Sequence, residues 1–213
     1  MDGSGRGSTN SWIRYEPVSA TGADRWLETS ESHPAPKDML ESEAVMNRGT
    51  RRVLVAGATG YLGGFVAREF KKRGYFVRAL SRSAEKSKEM EEELDEVVVG
   101  EVTKPETIRT VCNGMDVVFS SVGITKQKDG LTFQDVDYRG NLNLLEAAIQ
   151  AGVEKFIYVS VFRGPDLLHL DIVKAHEDFV TALKASGMPY AILRLVGFFS
   201  DMGEYVKMAE KGR

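Results

Sequence analysis

Three glycines, Gly57, Gly60 and Gly63, follow the apolar run Val53–Ala56 and precede a helix-length amphipathic run. In a strand, glycine-rich turn and helix, each glycine meets a different requirement. The first permits a tight turn, the second lets a ligand approach the backbone, and the third lets the helix pack closely on the sheet. A second apolar run follows Gly74, so this stretch predicts a strand, a crossover helix and a second parallel strand.

Beyond residue 51, short β-branched runs alternate with helix-length amphipathic runs. This alternation is typical of parallel strands joined by helical crossovers. We predict strands at Val53–Ala56, Tyr75–Leu80, Glu96–Val99, Asp116–Ser120, Lys155–Val161 and Tyr190–Leu195. We predict helices at Tyr61–Arg73, Ser83–Glu93, Thr103–Asn113, Val136–Ala151 and His169–Ala185. The predicted fold class is therefore α/β, a doubly wound parallel sheet of the Rossmann type.

The predicted helix at Thr103–Asn113 depends on local signals. Thr103 and Glu106 have the spacing of a capping box, and proline at position 105 is tolerated in a first helical turn. Cys112 lies in the apolar stripe of this helix, so we expect it to be a small buried residue. As the single cysteine of the chain, it excludes an intramolecular disulfide.

Residues 1–49 are rich in serine, glycine, threonine, proline and glutamate, and their apolar residues are scattered rather than periodic. Burial in such a segment cannot offset the entropy lost on ordering. We therefore predict a disordered N-terminal extension at residues 1–49 and an NAD(P)-binding domain at residues 50–213. An organelle transit peptide is the alternative, but such peptides are poor in acids and acidic residues interrupt this segment. On this basis we expect a cytoplasmic location.

The charge and hydropathy of the whole chain exclude several kinds of partner. The formal net charge is −3 and the sequence pI is about 5.7, so no electrostatic attraction to nucleic acid or to an anionic membrane is expected. No apolar run approaches the ~20 residues that span a bilayer. We predict no metal site, and the sequence does not specify an oligomeric state. A small-molecule substrate or cofactor is the expected partner.

The glycine-rich turn matches a dinucleotide-binding fingerprint, because it lies after a predicted strand and before a predicted helix. Backbone amides of the first helical turn and the positive end of the helix dipole would meet the charge of a pyrophosphate. The predicted cofactor contacts here are Gly57, Thr59, Gly60, Tyr61, Leu62 and Gly63. A glycine-rich turn without a ligand is the alternative, and the flanking strand and helix argue against it.

Residues after the next strands complete the predicted cofactor site. Arg82 follows the second strand, where a cation accepts the 2′-phosphate of NADP and an acid would bind the ribose hydroxyl of NAD. We therefore favour NADP(H) over NAD(H), with a solvated loop charge as the alternative role of Arg82. Ligands lie outside the carboxyl ends of parallel strands. That rule places the stretch Gly100–Thr103 at the adenine end, with Glu101 and Val102 as the predicted contacts, and it places Ser121, Val122 and Gly123 nearer the nicotinamide.

Residues 51–213 resemble the short-chain dehydrogenase/reductase superfamily. The resemblance depends on the glycine motif and on Ser81-Arg82, Val136–Asn141, Tyr158–Ser160 and Ser186–Arg194. The most similar branch is the atypical NAD(P)H-binding group, which includes isoflavone-reductase-like and nitrogen-repression-regulator-like proteins. The resemblance implies an oxidoreductase fold whose C-terminal substrate lobe continues past Arg213, so we expect this chain to lack most of that lobe.

The resemblance also implies a catalytic serine at the end of the fifth strand, and a tyrosine and a lysine four residues apart on the next helix. Ser160 matches the serine. In one alignment Lys174 matches the lysine, and Leu170 stands where tyrosine is expected. In the other alignment His176 and Ile172 take these two positions. Neither alignment supplies the tyrosine that delivers a proton, and His176 is the candidate replacement because imidazole titrates near neutral pH.

Two functions remain open from the sequence. The first is an NAD(P)H-dependent oxidoreductase that reduces a small carbonyl, enone or quinone-like substrate, with Ser160, His176 and Lys174 as catalytic candidates. The second is an NADP(H)-sensing regulator or assembly factor that binds the cofactor without reaction, which the missing tyrosine favours. A sugar-nucleotide epimerase is a third class, and it would also use the missing tyrosine. Phe198 and Phe199 either line an apolar substrate pocket or close the core.

Overall fold

Parallel strands form one sheet in the computed structural model, which describes residues 49–124, 130–196 and 202–210. The strands are β1 (Arg52–Ala56), β2 (Phe76–Ser81), β3 (Glu96–Val99), β4 (Val117–Ser120), β5 (Lys155–Val161) and β6 (Tyr190–Leu195). Their order across the sheet is β3-β2-β1-β4-β5-β6. Because the chain winds outward in both directions from the boundary between β1 and β4, the predicted doubly wound fold is confirmed.

Helices follow most of these strands. They are α1 (Tyr61–Lys72), α2 (Ala84–Glu91), α3 (Asn141–Gln150), α4 (Asp171–Ala185) and α5 (Met202–Glu210). A π-helical segment, Gln134–Gly140, leads directly into α3. Helix α1 ends beside Gly74, whose φ of +82° is the left-handed conformation expected of a glycine helix stop.

The sheet has a hydrophobic core on each of its faces. Leu54 of β1 packs in one core with Leu144 and Phe156, whereas its neighbours Val53 and Val55 pack in the other. Alternation along a strand points successive side chains to opposite faces, so β1 is buried on both sides. This explains why its sequence is a continuous apolar run rather than an alternating one.

The predicted helix at Thr103–Asn113 is wrong. The structure has a 3₁₀ turn at Pro105–Thr107, followed by further turns. The backbone hydrogen bonds of this segment join residues three apart: Ile108 N–H donates to the Pro105 carbonyl at 3.2 Å, and Val111 N–H donates to the Ile108 carbonyl at 3.1 Å. The apolar stripe is still buried, and burial raises the pKa of the Cys112 thiol to about 12.

Side-chain hydrogen bonds account for this error, because they compete with a helical backbone ladder. The Thr107 hydroxyl donates to the Lys104 carbonyl at 2.7 Å, and the Arg78 guanidinium donates to the Val111 carbonyl at 2.7 Å. The predicted capping box is also wrong, since the Thr103 hydroxyl donates instead to the carboxylate of Glu101 at 2.8 Å.

The helix predicted at Val136–Ala151 is divided into the π-helical segment and α3. The Asn141 side chain donates from Nδ2 to the backbone carbonyl of Asp137 at 2.8 Å, and it occupies an acceptor of the α-helical ladder. A local π-helical stretch is frequent where a side chain enters that ladder, and often marks a functional site.

Several predictions concern residues outside the described ranges. These are the N-terminal extension up to residue 48 and the roles of Phe198 and Phe199. Within the described ranges, none of the helices combines the length and the apolar character that crossing a membrane requires.

Candidate dinucleotide site

A cleft of about 680 Å³, open to solvent, lies across the carboxyl ends of the central strands. Most of the predicted cofactor contacts line it, namely Gly57, Thr59, Gly60, Arg82, Glu101, Val102, Ser121, Val122 and Gly123. Parallel strands bring these loops to one edge of the sheet, although they are far apart in the sequence. The geometry therefore groups residues that the sequence placed at the ends of four different strands.

The turn after β1 has the geometry that the three glycines suggested. Gly57 has a φ of +86°, and the Gly60 N–H donates to the Gly57 carbonyl at 2.9 Å. A Cβ at Gly63 would overlap that same carbonyl, so only glycine permits the close packing of α1. The first turn of α1 carries no acidic side chain, so its positive dipole end remains suited to a phosphate.

Two predicted contacts, Tyr61 and Leu62, have side chains that are not part of the cleft lining. The Tyr61 ring is 58% exposed and stands edge-to-face against Phe65, with ring centroids 5.2 Å apart. Leu62 packs against the core below α1. Their predicted contact with the cofactor therefore concerns backbone amides rather than side chains.

The end of the cleft nearest β2 and β3 carries one positively and one negatively charged side chain. Arg82 is exposed and lines the cleft, as does Glu101. The Glu101 carboxylate accepts hydrogen bonds from Lys104 at 2.7 Å and Thr103 at 2.8 Å. These bonds, with the charges of Lys104 and Arg82, lower the Glu101 pKa. Because Lys104 already neutralises Glu101, Arg82 keeps its positive charge available to an anion at this end.

The opposite end of the cleft is formed by the loop after β4. The Val122 N–H donates to the Ser120 hydroxyl at 3.3 Å, and the Asn141 Nδ2 donates to the Val122 carbonyl at 3.2 Å. The Ser120 hydroxyl in turn donates to Asn141 Oδ1 at 2.6 Å. Ser120 and Asn141 are fully buried, so this loop rests on a satisfied polar network.

Asp137 extends that network. Its side chain is fully buried, and burial raises its pKa to about 7 although the Ile124 N–H donates to Oδ2 at 3.3 Å. Among the described residues, Oδ1 makes no hydrogen bond of good geometry, and His176 Nε2 lies 3.3 Å from it. A Cβ on Gly123 would lie 2.7 Å from Oδ1, so the carboxyl group lies directly beneath the cleft lining.

His176 joins Asp137 to the interior of the protein. Its Nδ1 lies 2.6 Å from the hydroxyl of Tyr158, a fully buried residue of β5. Burial lowers the His176 pKa to about 4, so the imidazole is neutral at physiological pH. Burial also raises the pKa of Tyr158 well above its ordinary value, so its phenol stays protonated. With Tyr158 as the donor to Nδ1, the imidazole proton lies on Nε2 and faces Asp137.

Ser160, the predicted catalytic serine, is engaged in a separate interaction. It is only 3% exposed, and its hydroxyl donates to Glu177 Oε1 at 3.2 Å. Both oxygens of Glu177 accept from the Arg194 guanidinium, at 2.5 and 2.8 Å. Burial acts to raise the Glu177 pKa, but the hydrogen bonds and charge of Arg194 hold it below its ordinary value.

Lys174, the other predicted catalytic residue, lies on the surface. Its ammonium group pairs with Asp178 at 2.6 Å, and its side chain is 54% exposed. Lys174 and His176 are two residues apart on α4, which places them on different sides of the helix as expected. Neither residue belongs to the cleft lining, although a Cβ on Gly123, which does line the cleft, would lie 3.8 Å from His176 Cε1.

Sequence reasoning missed three residues that line the cleft, Leu80, Ile124 and Val136. Ile124 directly follows the predicted contacts after β4, so extending that loop by one residue would have found it. Leu80 and Val136 had no such signal, because an apolar residue in a strand or helix has the same pattern whether it faces a cleft or a core. The role of Asp137 was also missed.

A parallel sheet with a glycine-rich turn at its switch point and a cleft across its carboxyl edge defines a dinucleotide-binding protein. The chain belongs to the NAD(P)H-binding family, whose sequence model matches residues 57–213. The resemblance to the atypical short-chain dehydrogenase/reductase group is thereby confirmed.

Individual relatives differ in what their names describe. The Photosystem II assembly factor Ycf39 of Synechocystis is 35% identical over 158 residues, which cover 72% of this chain and 47% of that protein. The chloroplastic divinyl chlorophyllide a 8-vinyl-reductase of Zea mays is 28% identical over 197 residues, which cover 85% of this chain and 49% of that protein. The chain thus spans about half the length of these relatives.

A solved structure shows the same fold. The triphenylmethane reductase of Citrobacter sp., complexed with NADP(H), superposes with a TM-score of 0.61 over 75% of this chain and 55% of that chain. The two sequences are 22% identical, so this similarity concerns the fold alone.

Proposed function

We propose that this chain binds NADP(H) in the cleft and acts as an NADP(H)-sensing regulator or assembly factor that does not turn the cofactor over. One observation supports the proposed absence of cofactor turnover. The Ser160 hydroxyl, which would assist a reaction, is buried and donates to Glu177, whose carboxylate is held by Arg194.

The described residues fit the proposed cofactor. Gly57 and Gly60 provide the close approach to a pyrophosphate at the first turn of α1. Arg82 provides the cation for a 2′-phosphate, which favours NADP(H) over NAD(H). Val102 offers an apolar surface to the adenine, and Gly123 lies at the nicotinamide end. When bound, the cofactor would supply hydride chemistry, and the chain's own residues decide whether a proton can accompany it.

Carbonyl reduction needs a proton donor beside the nicotinamide. Among the described residues, the Tyr158 hydroxyl points to His176 inside the protein, and His176 is neutral at physiological pH. Lys174 is paired with Asp178 on the surface. None of these groups combines an acidic proton with access to the cleft, which supports binding without reaction.

One group of relatives, the assembly factors, supports the same proposal, whereas the reductase relatives agree with the second candidate below. A protein named as an assembly factor is 35% identical to this chain. We extend that kind of role to this chain, as a factor whose contacts with other proteins respond to the bound cofactor.

Binding and turnover are tested together on the 213-residue chain. Fluorescence titration should show saturable NADPH binding, tighter than that of NADH. NADPH absorbance should stay constant in the presence of a panel of carbonyl, enone and quinone substrates. Sustained, enzyme-dependent NADPH oxidation would overturn the non-catalytic proposal, and absence of binding would overturn the site itself.

A reductase of a small carbonyl, enone or quinone-like substrate is the second candidate. The observation that favours it is the closeness of His176 to the cleft, since a Cβ on Gly123 would lie 3.8 Å from His176 Cε1. If this candidate is correct, His176→Ala abolishes NADPH oxidation while Lys174→Ala leaves it unchanged. Equal rates in the wild type and His176→Ala would remove His176 from the mechanism.

We also propose a cytoplasmic location, from the acid-rich composition of residues 1–49. Relatives with "chloroplastic" in their names make organelle import the competing outcome. A fluorescent protein fused behind residues 1–49 decides between them, because import of the fusion into an organelle would overturn the cytoplasmic proposal.

A further inference from the structure

We propose that Asp137 makes the cleft discriminate between the two redox states of the cofactor, because its ionised carboxylate attracts the positively charged nicotinamide ring of NADP⁺ and not the neutral ring of NADPH. This inference rests on the proposed function, and it specifies which redox form of the cofactor the site would sense.

The position of Asp137 is the first support. Its carboxyl group is fully buried, and Oδ1 has no hydrogen bond of good geometry among the described residues. Oδ1 lies 2.7 Å from where a Cβ on Gly123 would be, and Gly123 lines the cleft. Among the described residues, this carboxyl group therefore lies directly against the backbone of Gly123, at the part of the cleft formed by the loop after β4.

The groups around Asp137 leave its charge uncompensated. On α4, His176 Nε2 lies 3.3 Å from Oδ1, and burial keeps this imidazole neutral. On β5, the phenol of Tyr158 stays protonated and contacts His176. Glu177, also on α4, is paired with Arg194. Within the described part of the chain, no lysine or arginine lies within ion-pair distance of Asp137.

The difference between the two cofactor forms is the second support. NADP⁺ and NADPH share the same phosphates and adenosine, so those groups cancel when the affinities for the two forms are compared. Only the nicotinamide ring differs in charge. If the ring binds beside Gly123, a carboxylate beneath that residue, in a medium less polar than water, would change affinity about tenfold.

The direction of the pH dependence follows from linkage. The Asp137 pKa of about 7 means that the carboxyl group changes charge near neutral pH. NADP⁺ stabilises the ionised form and lowers this pKa, so its binding releases a proton near pH 7. NADPH has no charged ring and releases none from this group. Preference for NADP⁺ therefore grows as the pH rises through neutrality.

Isothermal titration calorimetry of the full chain with NADP⁺ and with NADPH tests the inference, at about pH 6 and about pH 8. The ratio of Kd for NADPH to Kd for NADP⁺ should rise about fivefold between these two conditions in the wild type, for an Asp137 effect of about tenfold. In Asp137→Asn the ratio should not change with pH. Asp135→Asn is the matched control, because it removes the same charge from a partly exposed position of the same helical segment, and should behave like the wild type.

The outcomes separate the two proposals. If neither cofactor form binds, the proposed function fails and the inference fails with it. If both bind with a ratio independent of pH, or if Asp137→Asn keeps the wild-type pH dependence, the inference is overturned and cofactor binding stands. If Asp137→Asn fails to fold, the inference is tested on the wild type alone. The number of protons released on binding each cofactor form is then measured by calorimetry in two buffers of different ionisation enthalpy. Equal proton release for NADP⁺ and NADPH would overturn the inference.

Discussion

The two ends of the cleft are built from different chemistry. At the β2 and β3 end, Arg82 and Glu101 lie at the surface, and Glu101 is neutralised by the exposed Lys104. At the β4 and β5 end, the polar groups of Asp137 and His176 are buried and contact each other beneath the cleft. The first end has charge available for an anion, whereas the second keeps its polar groups inside the protein.

Under the proposed function, this difference makes cofactor binding and cofactor reaction separable properties of one fold. Binding depends on loops at strand ends, which parallel strands bring to one edge. Reaction depends on a proton donor placed by the next crossover helix, and in this chain α4 places a neutral imidazole there. Under the proposed function, the same scaffold keeps its binding site when the donor position changes.

The largest effect is expected for a substitution in the glycine-rich turn after β1, which serves both ends of the cleft. Gly60→Val should weaken NADPH binding by about a hundredfold or more, because a branched side chain would occupy the approach of the pyrophosphate. Gly49→Val is the control, since a Cβ at that position meets nothing within 4 Å. Isothermal titration calorimetry measures the NADPH affinity of both variants. Wild-type affinity in a folded Gly60→Val protein would contradict the proposed position of the pyrophosphate.

The second prediction concerns how much the ion pair between Arg194 and Glu177, the residue next to His176 in the chain, contributes to stability. Arg194→Ala should lower the free energy of unfolding by roughly 2 kcal/mol, because it leaves the half-buried Glu177 carboxylate without its partner. Since the folded-state pKa of Glu177 is lowered, its contribution is present at neutral pH and is lost as the pH falls through that pKa.

Urea unfolding at neutral and acidic pH measures this effect. The difference between the wild type and Arg194→Ala should be largest at neutral pH and should shrink in acid. Arg163→Ala, which breaks an exposed ion pair with Asp166, is the control and should change little. A difference independent of pH would contradict a charge-based role for Arg194.

The third prediction concerns the exposed end. Arg82→Ala should weaken NADPH binding about tenfold and leave NADH binding unchanged, because only NADPH carries the 2′-phosphate. Parallel titrations with both cofactors make each protein its own control. Equal losses for the two cofactors would show that Arg82 does not contact the 2′-phosphate.

The smallest effect is expected for Lys174→Ala. Its exposed ion pair with Asp178 should contribute within about 0.5 kcal/mol to stability, and NADPH affinity should stay at the wild-type value. Thermal unfolding and NADPH titration measure the two quantities. A clear loss of NADPH affinity would place Lys174 in the cofactor site and would weaken the contrast between the two ends.

Some elements were predictable from the sequence because their signal is local. Strands β3, β5 and β6 have the predicted boundaries, since each is a short, mostly apolar run whose pattern is visible within a few residues. The helix predicted after β3 failed because Thr107 and Arg78 take carbonyl groups that a helix would use. Arg78 belongs to β2, and a local pattern contains no information about that distant contact.

The candidate site divides in the same way. Gly57, Gly60 and Arg82 were predictable because position after a strand is sufficient to place them at the cleft. The environment of Asp137 was not predictable, because it arises where the π-helical segment packs against α4 and brings His176 within 3.3 Å. Burial of Ser160 against Glu177 and Arg194 likewise requires β5, α4 and β6 to be assembled.

The sequence by itself determined the doubly wound sheet and the loops that would contact a dinucleotide, because hydrophobic periodicity and glycine spacing act over a few residues. Only the tertiary structure decided which polar side chains are charged and which face the cleft. The physical reason is that the pKa of a group depends on its burial and on neighbours from other elements, as for Asp137 beside His176, and both exist only after folding.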